Sequence, residues 1–156
     1  MTPDFEALAR RLVDTNVYMT LATADADGEP WVPPVFYAAV HYRRFLWVSL
    51  PEARHSRNIA ARPEISLVIF DSRAAIGTAQ AFYASGHAGR LSGAEADEAL
   101  ERYSRISEER GAGAWTPDDI REPARLRLYR ATAREQWVLD SVNDPEGGDR
   151  RLPVSL

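Results

Sequence analysis

Short apolar runs alternate with turn signals from Val17 onward, and this rhythm limits the fold more than any other feature. "VYMTLATA" (17–24) is rich in β-branched and aromatic residues, and "DADGE" after it carries an Asp-Gly turn signal. "PWVPPVFYAAV" (30–40) resumes as a strand, "HYRR" turns the chain, and "FLWVSL" (45–50) follows, which predicts a three-stranded antiparallel meander. "EISLVIFD" (64–71) and "AFYASGHAGRL" (81–91) read as the fourth and fifth strands, and "LRLYRATAREQWVLD" (126–140) as one bent strand or two. About six or seven short strands at this spacing predict a mainly β (α+β) chain, a small antiparallel barrel with peripheral helices. Pro33 and Pro34 fall inside the second run. Proline cannot donate to a ladder, so they mark an edge, a bulge, or a place where something else approaches the backbone.

Helical signals are fewer. Thr2 reads as an N-cap with Pro3 in the first helical position. Phe5, Leu8, Leu12 and Val13 recur at helical spacing, predicting a helix over 3–15. Residues 54–62 form a short polar helix that ends before Pro63. Ser92 and Glu95 have the spacing of a capping box, opening a helix with Leu100, Tyr103 and Ile106 on one face. Residues 111–125 read as loop. One domain is expected over 1–140, with 141–156, rich in Pro and Gly, as a loosely held tail.

Composition removes several chemistries. The 156 residues include no cysteine, which excludes disulfides, thiolate nucleophiles and thiolate metal sites. All 19 basic residues are arginine. Without lysine there is no Schiff base and no Walker loop, so a bound phosphate would rest on Arg, His or backbone N–H groups. A net charge of −4 argues against a nucleic-acid partner. No run has the length of a membrane span and the first residues do not resemble a signal peptide, so a cytoplasmic protein is expected.

The local exception to that acidity is "EARHSRNIAARPEISLVIF" (52–70), where Arg54, His55 and Arg57 follow a strand and open a helix. Charge-assisted donors beside free helix N–H groups suit an anion. A solvated helix face also fits, and it is the commoner use of such a run. His41, His55 and His87 lack metal-ligand spacing. Asp118-Asp119 and Glu108-Glu109 are adjacent pairs that cannot share a helix face, and no Gly-x-Ser-x-Gly elbow supports a hydrolase. Trp31, Trp47, Trp115 and Trp137 read most simply as core or interface aromatics.

The series "LATADADGEPWVPPVFYA", "VSLPEARHSRNIAARPEISLVIF" and "YASGHAGRL" with a following helix resembles the pyridoxamine phosphate oxidase-like family over about 15–140. These are split β-barrels that bind FMN. Ala53-Arg54-His55 stands where the family has a Ser-Arg-Lys-like triplet, and Arg62-Pro63-Glu64-Ile65-Ser66-Leu67 where it has an Asn-Pro-x-Val-Ser-Leu-like strand. The resemblance therefore implies that Arg54 and His55, with Arg57 and Asn58 nearby, grip the FMN phosphate. Histidine in place of lysine makes that grip pH-sensitive. It further implies that the isoalloxazine lies along Pro34, Val35 and Phe36, with a hydroxyl from Ser49. It implies a homodimer with the cofactor at its interface, where Trp115 could close the site from the other chain.

Two departures separate the chain from true pyridoxamine phosphate oxidases. Pro33 replaces the basic residue expected after "GEPWV", and "DRRLPVSL" is not the C-terminal Arg-Leu-x-Asp-Arg segment that holds the substrate phosphate. The expectation is therefore an FMN-dependent oxidoreductase that passes hydride or electrons to a small molecule the sequence does not name. A deazaflavin-dependent reductase and a non-catalytic flavin- or haem-binding protein are the alternatives.

Overall fold

In the computed structural model, residues 2–147 and 150–156 are described. Among these residues three α-helices, α1 (Phe5–Thr15), α2 (Arg54–Ala61) and α3 (Gly93–Glu109), accompany nine strands. In chain order these are β1 (Tyr18–Ala24), β2 (Pro30–Trp31), β3 (Pro34–Phe36), β4 (Ala38–Val40), β5 (Arg44–Ser49), β6 (Glu64–Phe70), β7 (Gln80–Arg90), β8 (Arg127–Asp140) and β9 (Leu152–Val154). Every pairing is antiparallel.

The sheet runs β2-β1-β6-β7-β8-β5-β4, and β3 also pairs with β1. β3 passes into β4 through Tyr37 alone, so one stretch of chain bonds to β1 at one end of the sheet and to β5 at the other. That stretch closes the split barrel. The expected second strand is thus three short ones, and the ladder lapses between β2 and β3 where neither Pro33 nor Pro34 can donate. The Pro33 carbonyl still accepts from the Leu21 N–H at 2.9 Å. β8 is one strand, bent where Gly86 on β7 passes opposite a bulge at Arg134. A Cβ on Gly86 would sit 2.0 Å from the Thr132 carbonyl oxygen, so this crossing requires glycine.

Two apolar clusters explain the strand sequences. Phe45, Trp47, Met19, Leu21, Ile69 and Phe82 fill the barrel with the buried face of α1. Leu46, Leu128, Ala38 and Val40 face outward and are covered by Leu100 and Tyr103 of α3. β5 is therefore buried on both faces, which is why "FLW" reads as an unbroken apolar run.

Local differences from the sequence expectations have simple causes. α1 is capped by Asp4, whose carboxylate accepts from the Ala7 N–H at 2.9 Å, and Thr2 lies before the helix. The Ser92 box does not form: Glu95 instead pairs with Arg130 on β8 at 2.7 Å. Within the segment expected to be a loose tail, β9 pairs with β8 beyond the end of β5, and the Leu156 N–H donates to the Gln136 side chain at 3.2 Å. Positions 148 and 149 of that tail lie outside the described residues. Among the described residues no helix is long and apolar enough to cross a membrane.

Candidate functional site

β5 ends at Ser49, and a short turn closed by Ala53 N–H to the Leu50 carbonyl at 3.1 Å leads into α2. Ser49 and His55 face each other across this turn, with Oγ 2.8 Å from Nε2. Burial holds the His55 imidazole below its usual range, because a half-buried ring loses solvent stabilisation of its charged form. The ring nearest the amino end of α2 is thus polarised toward its neutral state.

Among the described residues no side chain caps that helix end. Its N-cap is Ala53, with no side-chain cap bond, and its first turn holds no acidic residue. Arg54 and Arg57 are exposed. The Arg54 guanidinium lies 4.5 Å from the centre of the Trp31 ring, a cation–π contact. Arg57 makes no side-chain hydrogen bond or ion pair among the described residues. The turn Asp25–Gly28 lies on the same side. Asp25 is held below the usual carboxylate range chiefly by the Glu29 N–H, with the Arg54 charge adding to it.

Asn58 turns inward instead. It is 4% exposed and donates to Thr23 Oγ1 at 3.0 Å, and Thr23 donates to the Trp31 carbonyl at 3.2 Å. The chain of bonds ties α2 to the β1–β2 hairpin. Pro34 is exposed on β3, opposite Thr20, while Val35 and Phe36 are half-buried. Phe36 meets Tyr103 edge to face at 5.9 Å, and Tyr103 meets Trp115 likewise at 5.8 Å. Burial pushes the Tyr103 hydroxyl up to about 12.

Trp115 is fastened to its own α3. Its backbone N–H donates to Ser104 Oγ at 2.8 Å, and its indole N–H donates to Ser107 Oγ at 3.2 Å. The structure therefore brings Ser49, Arg54, His55 and Arg57 to one helix end, and joins Phe36 to Trp115 through Tyr103. Trp31 and Tyr103 were not among the expected site residues. Neither has a spacing signal, since Trp31 matters through an arginine 23 positions later and Tyr103 through strand closure.

Among the described residues no group of His, Cys, Asp and Glu could hold a metal ion. What the arrangement can do is receive an anion: neutral and charged donors stand at a free helix terminus, beside a proline-marked strand edge.

The pyridoxamine 5'-phosphate oxidase family matches residues 5–138, and the chain belongs to it. A pyridoxine/pyridoxamine 5'-phosphate oxidase of Burkholderia multivorans is 40% identical over 65 residues, 42% of this chain and 30% of that protein. The match thus spans under a third of that relative's length. A haem-binding protein from Mycobacterium smegmatis superposes with a TM-score of 0.73 at 18% identity, over 99% of this chain and 59% of that one. A structure described as an F420 reductase superposes with a TM-score of 0.60 at 16% identity, over 87% and 98%. At these identities the two structures share the fold.

Proposed function

We propose that this protein is an FMN-dependent oxidoreductase whose cofactor phosphate is held at the amino end of α2. The observation that carries the reading is the Ser49–His55 pair, 2.8 Å apart, beside Arg54 and Arg57 on a helix end with no acidic residue and no side-chain cap. A dianion there gains charge-assisted bonds from the guanidiniums and the field of the helix. The donor set fits a phosphate: no lysine is needed, and no carboxylate in the first turn opposes it. The exposed edge at Pro34, with Val35 and Phe36, offers the backbone along which an isoalloxazine could lie. When bound, FMN supplies the hydride and electron chemistry, and the chain supplies position and electrostatics. The reducible small-molecule substrate is bound by contacts the sequence does not name.

The protein is a homodimer in this reading. Tyr18 is 62% exposed on β1 and Phe70 45% exposed on β6, an apolar outward sheet face that a second copy would cover. Sedimentation should show a dimer, whose obligate interface is expected to bury roughly 2,000 Å² or more. The purified protein should be yellow and bind FMN well above riboflavin. Equal affinity for the two flavins would remove the phosphate grip.

A second reading, haem binding without turnover, has one observation of its own. His87 lines an open groove of about 600 Å³ with Arg62 and Arg134, an imidazole beside two guanidiniums that could meet propionates. A Soret band lost in His87→Ala supports it; a flavin spectrum with no haem uptake removes it. A deazaflavin would occupy the FMN cleft, and it is distinguished by its own absorption after reconstitution.

A further inference from the structure

A separate cleft opens on the outside of the barrel, between α3 and the outward faces of β4, β5 and β8. Its volume is about 190 Å³. The floor is apolar, made by Val40, Leu46 and Ala99. It exists because β5 alternates: Phe45 and Trp47 point into the barrel while Leu46 points out beneath α3.

The rim is charged and unevenly satisfied. Arg130 is neutralised by Glu95 at 2.7 Å. Arg44 and Arg102 also line the cleft, and neither has a side-chain hydrogen bond or ion pair among the described residues. Glu98 stands on the same wall, so three arginines face two glutamates and one positive charge is left over. A guanidinium presents a planar fork that matches a carboxylate, whereas an apolar floor gives a bare inorganic ion nothing.

We propose that this cleft is a second ligand site, for a small monocarboxylate with an apolar body. The carboxylate is held by Arg44 and Arg102, and the body rests on Val40, Leu46 and Ala99. A dianion is disfavoured by Glu95 and Glu98, and an uncharged ring leaves both arginines without a partner. None of these residues belongs to the α2 helix end, so the site stands whether or not that end holds FMN.

Sodium benzoate is the probe, titrated into the full chain and followed by calorimetry and amide NMR, with benzyl alcohol and inorganic phosphate as controls. The expected result is saturable, salt-sensitive benzoate binding in the millimolar range, with shifts on α3 and β5, and much weaker binding of both controls. Arg44→Gln and Arg102→Gln should each weaken benzoate by about tenfold, the scale of one hydrogen bond to a charged group. Ala99→Leu should block it by filling the floor. Melting temperatures check that each variant is folded, and if Ala99→Leu is not, the two exposed arginine variants decide. Absence of saturable binding overturns the proposal. So does benzoate affinity untouched by the arginine variants, or phosphate or benzyl alcohol binding as well as benzoate.

Discussion

α1 and α2 both lie against the barrel, yet their ends obey opposite rules. α1 is closed at both. Asp4 caps its first turn and Glu6 lies within it. At its carboxyl end Arg110 donates to the Asp14 carbonyl at 2.9 Å and to the Asn16 carbonyl, and the Asn16 side chain donates to the Leu12 carbonyl at 2.8 Å. Negative charge at the start and positive charge at the end suit the helix dipole. α2 starts with Ala53 and places Arg54, His55 and Arg57 where the dipole is itself positive. Each of the two arginines works against the helix by about 0.3–1 kcal/mol. Its buried face even includes Ser56, 2% exposed, whose hydroxyl has no hydrogen-bond partner among the described residues. A helix built for stability alone would look like α1, and local rule-breaking of the α2 kind is characteristic of sites that await a ligand.

The largest expected effect tests the stability side. Leu12→Ala on α1 removes a side chain 4% exposed in the main cluster and should cost about 2–5 kcal/mol in urea unfolding. Ser56→Ala on α2 should be near neutral or stabilising, because the hydroxyl it deletes is unpaired. A loss at Ser56 comparable to that at Leu12 would mean that α2 is as optimised for stability as α1.

On the binding side, Arg54→Ala should weaken FMN by about 1.5–3 kcal/mol, the range for a hydrogen bond to a charged group, and change riboflavin little. Part of any loss in overall stability comes from the Trp31 contact, which the variant also removes. An equal loss for both flavins would assign Arg54 to the fold or to the ring.

The caps themselves give a smaller effect. Asp4→Ala should cost about 1 kcal/mol. Ala53→Asp should stabilise the ligand-free protein by a similar amount, about 1 kcal/mol, by supplying the missing cap and a favourable charge. It should also weaken FMN, since a carboxylate would then stand where the phosphate is expected. Tighter FMN binding in that variant would break the contrast between the two helices.

The β-rich fold was legible because pattern and turn chemistry agree along most of the chain. The alternation in β6 and the Asp-Gly turn at Asp27-Gly28 each admit one local answer. Barrel closure was not, because Pro33 and Pro34 signal that a ladder fails without saying which strands take over on either side. The capping box at Ser92 misled for a tertiary reason: Arg130, remote in sequence, outcompetes the Ser92 backbone for Glu95. At the site, the residues of the α2 end could be named from resemblance, but not their division of labour. Asn58 lies one position beyond Arg57, and helical geometry alone turns it from the surface to the Thr23 hydroxyl. The Arg54–Trp31 and Ser49–His55 contacts depend on how a hairpin and a strand end are brought to α2, which no local spacing encodes.

The smallest and most specific effect concerns His55. Burial has lowered its value in the folded protein, so between that value and the ordinary one of about 6.5 the unfolded chain binds more protons. Its influence on stability is therefore favourable above the ordinary value, and it is lost as pH falls through the folded one. A phosphate dianion acts in the opposite sense, because it favours the imidazolium and raises the bound-state value. Binding then takes up a proton in the window between the depressed free value and the raised bound one. FMN affinity should be highest below that window, decline through it as pH rises, and level off above it. Between about pH 6 and about pH 8 the change should be a few-fold, under about 1 kcal/mol. His55→Lys should flatten the profile and tighten binding near about pH 8, since lysine stays charged there. The Ser49 hydroxyl, 2.8 Å from the ring, can accept from Nε2–H when the ring is protonated. A wild-type affinity that is the same at both pH values would take His55 off the phosphate, leaving Arg57, exposed on the same turn, as Arg54's partner.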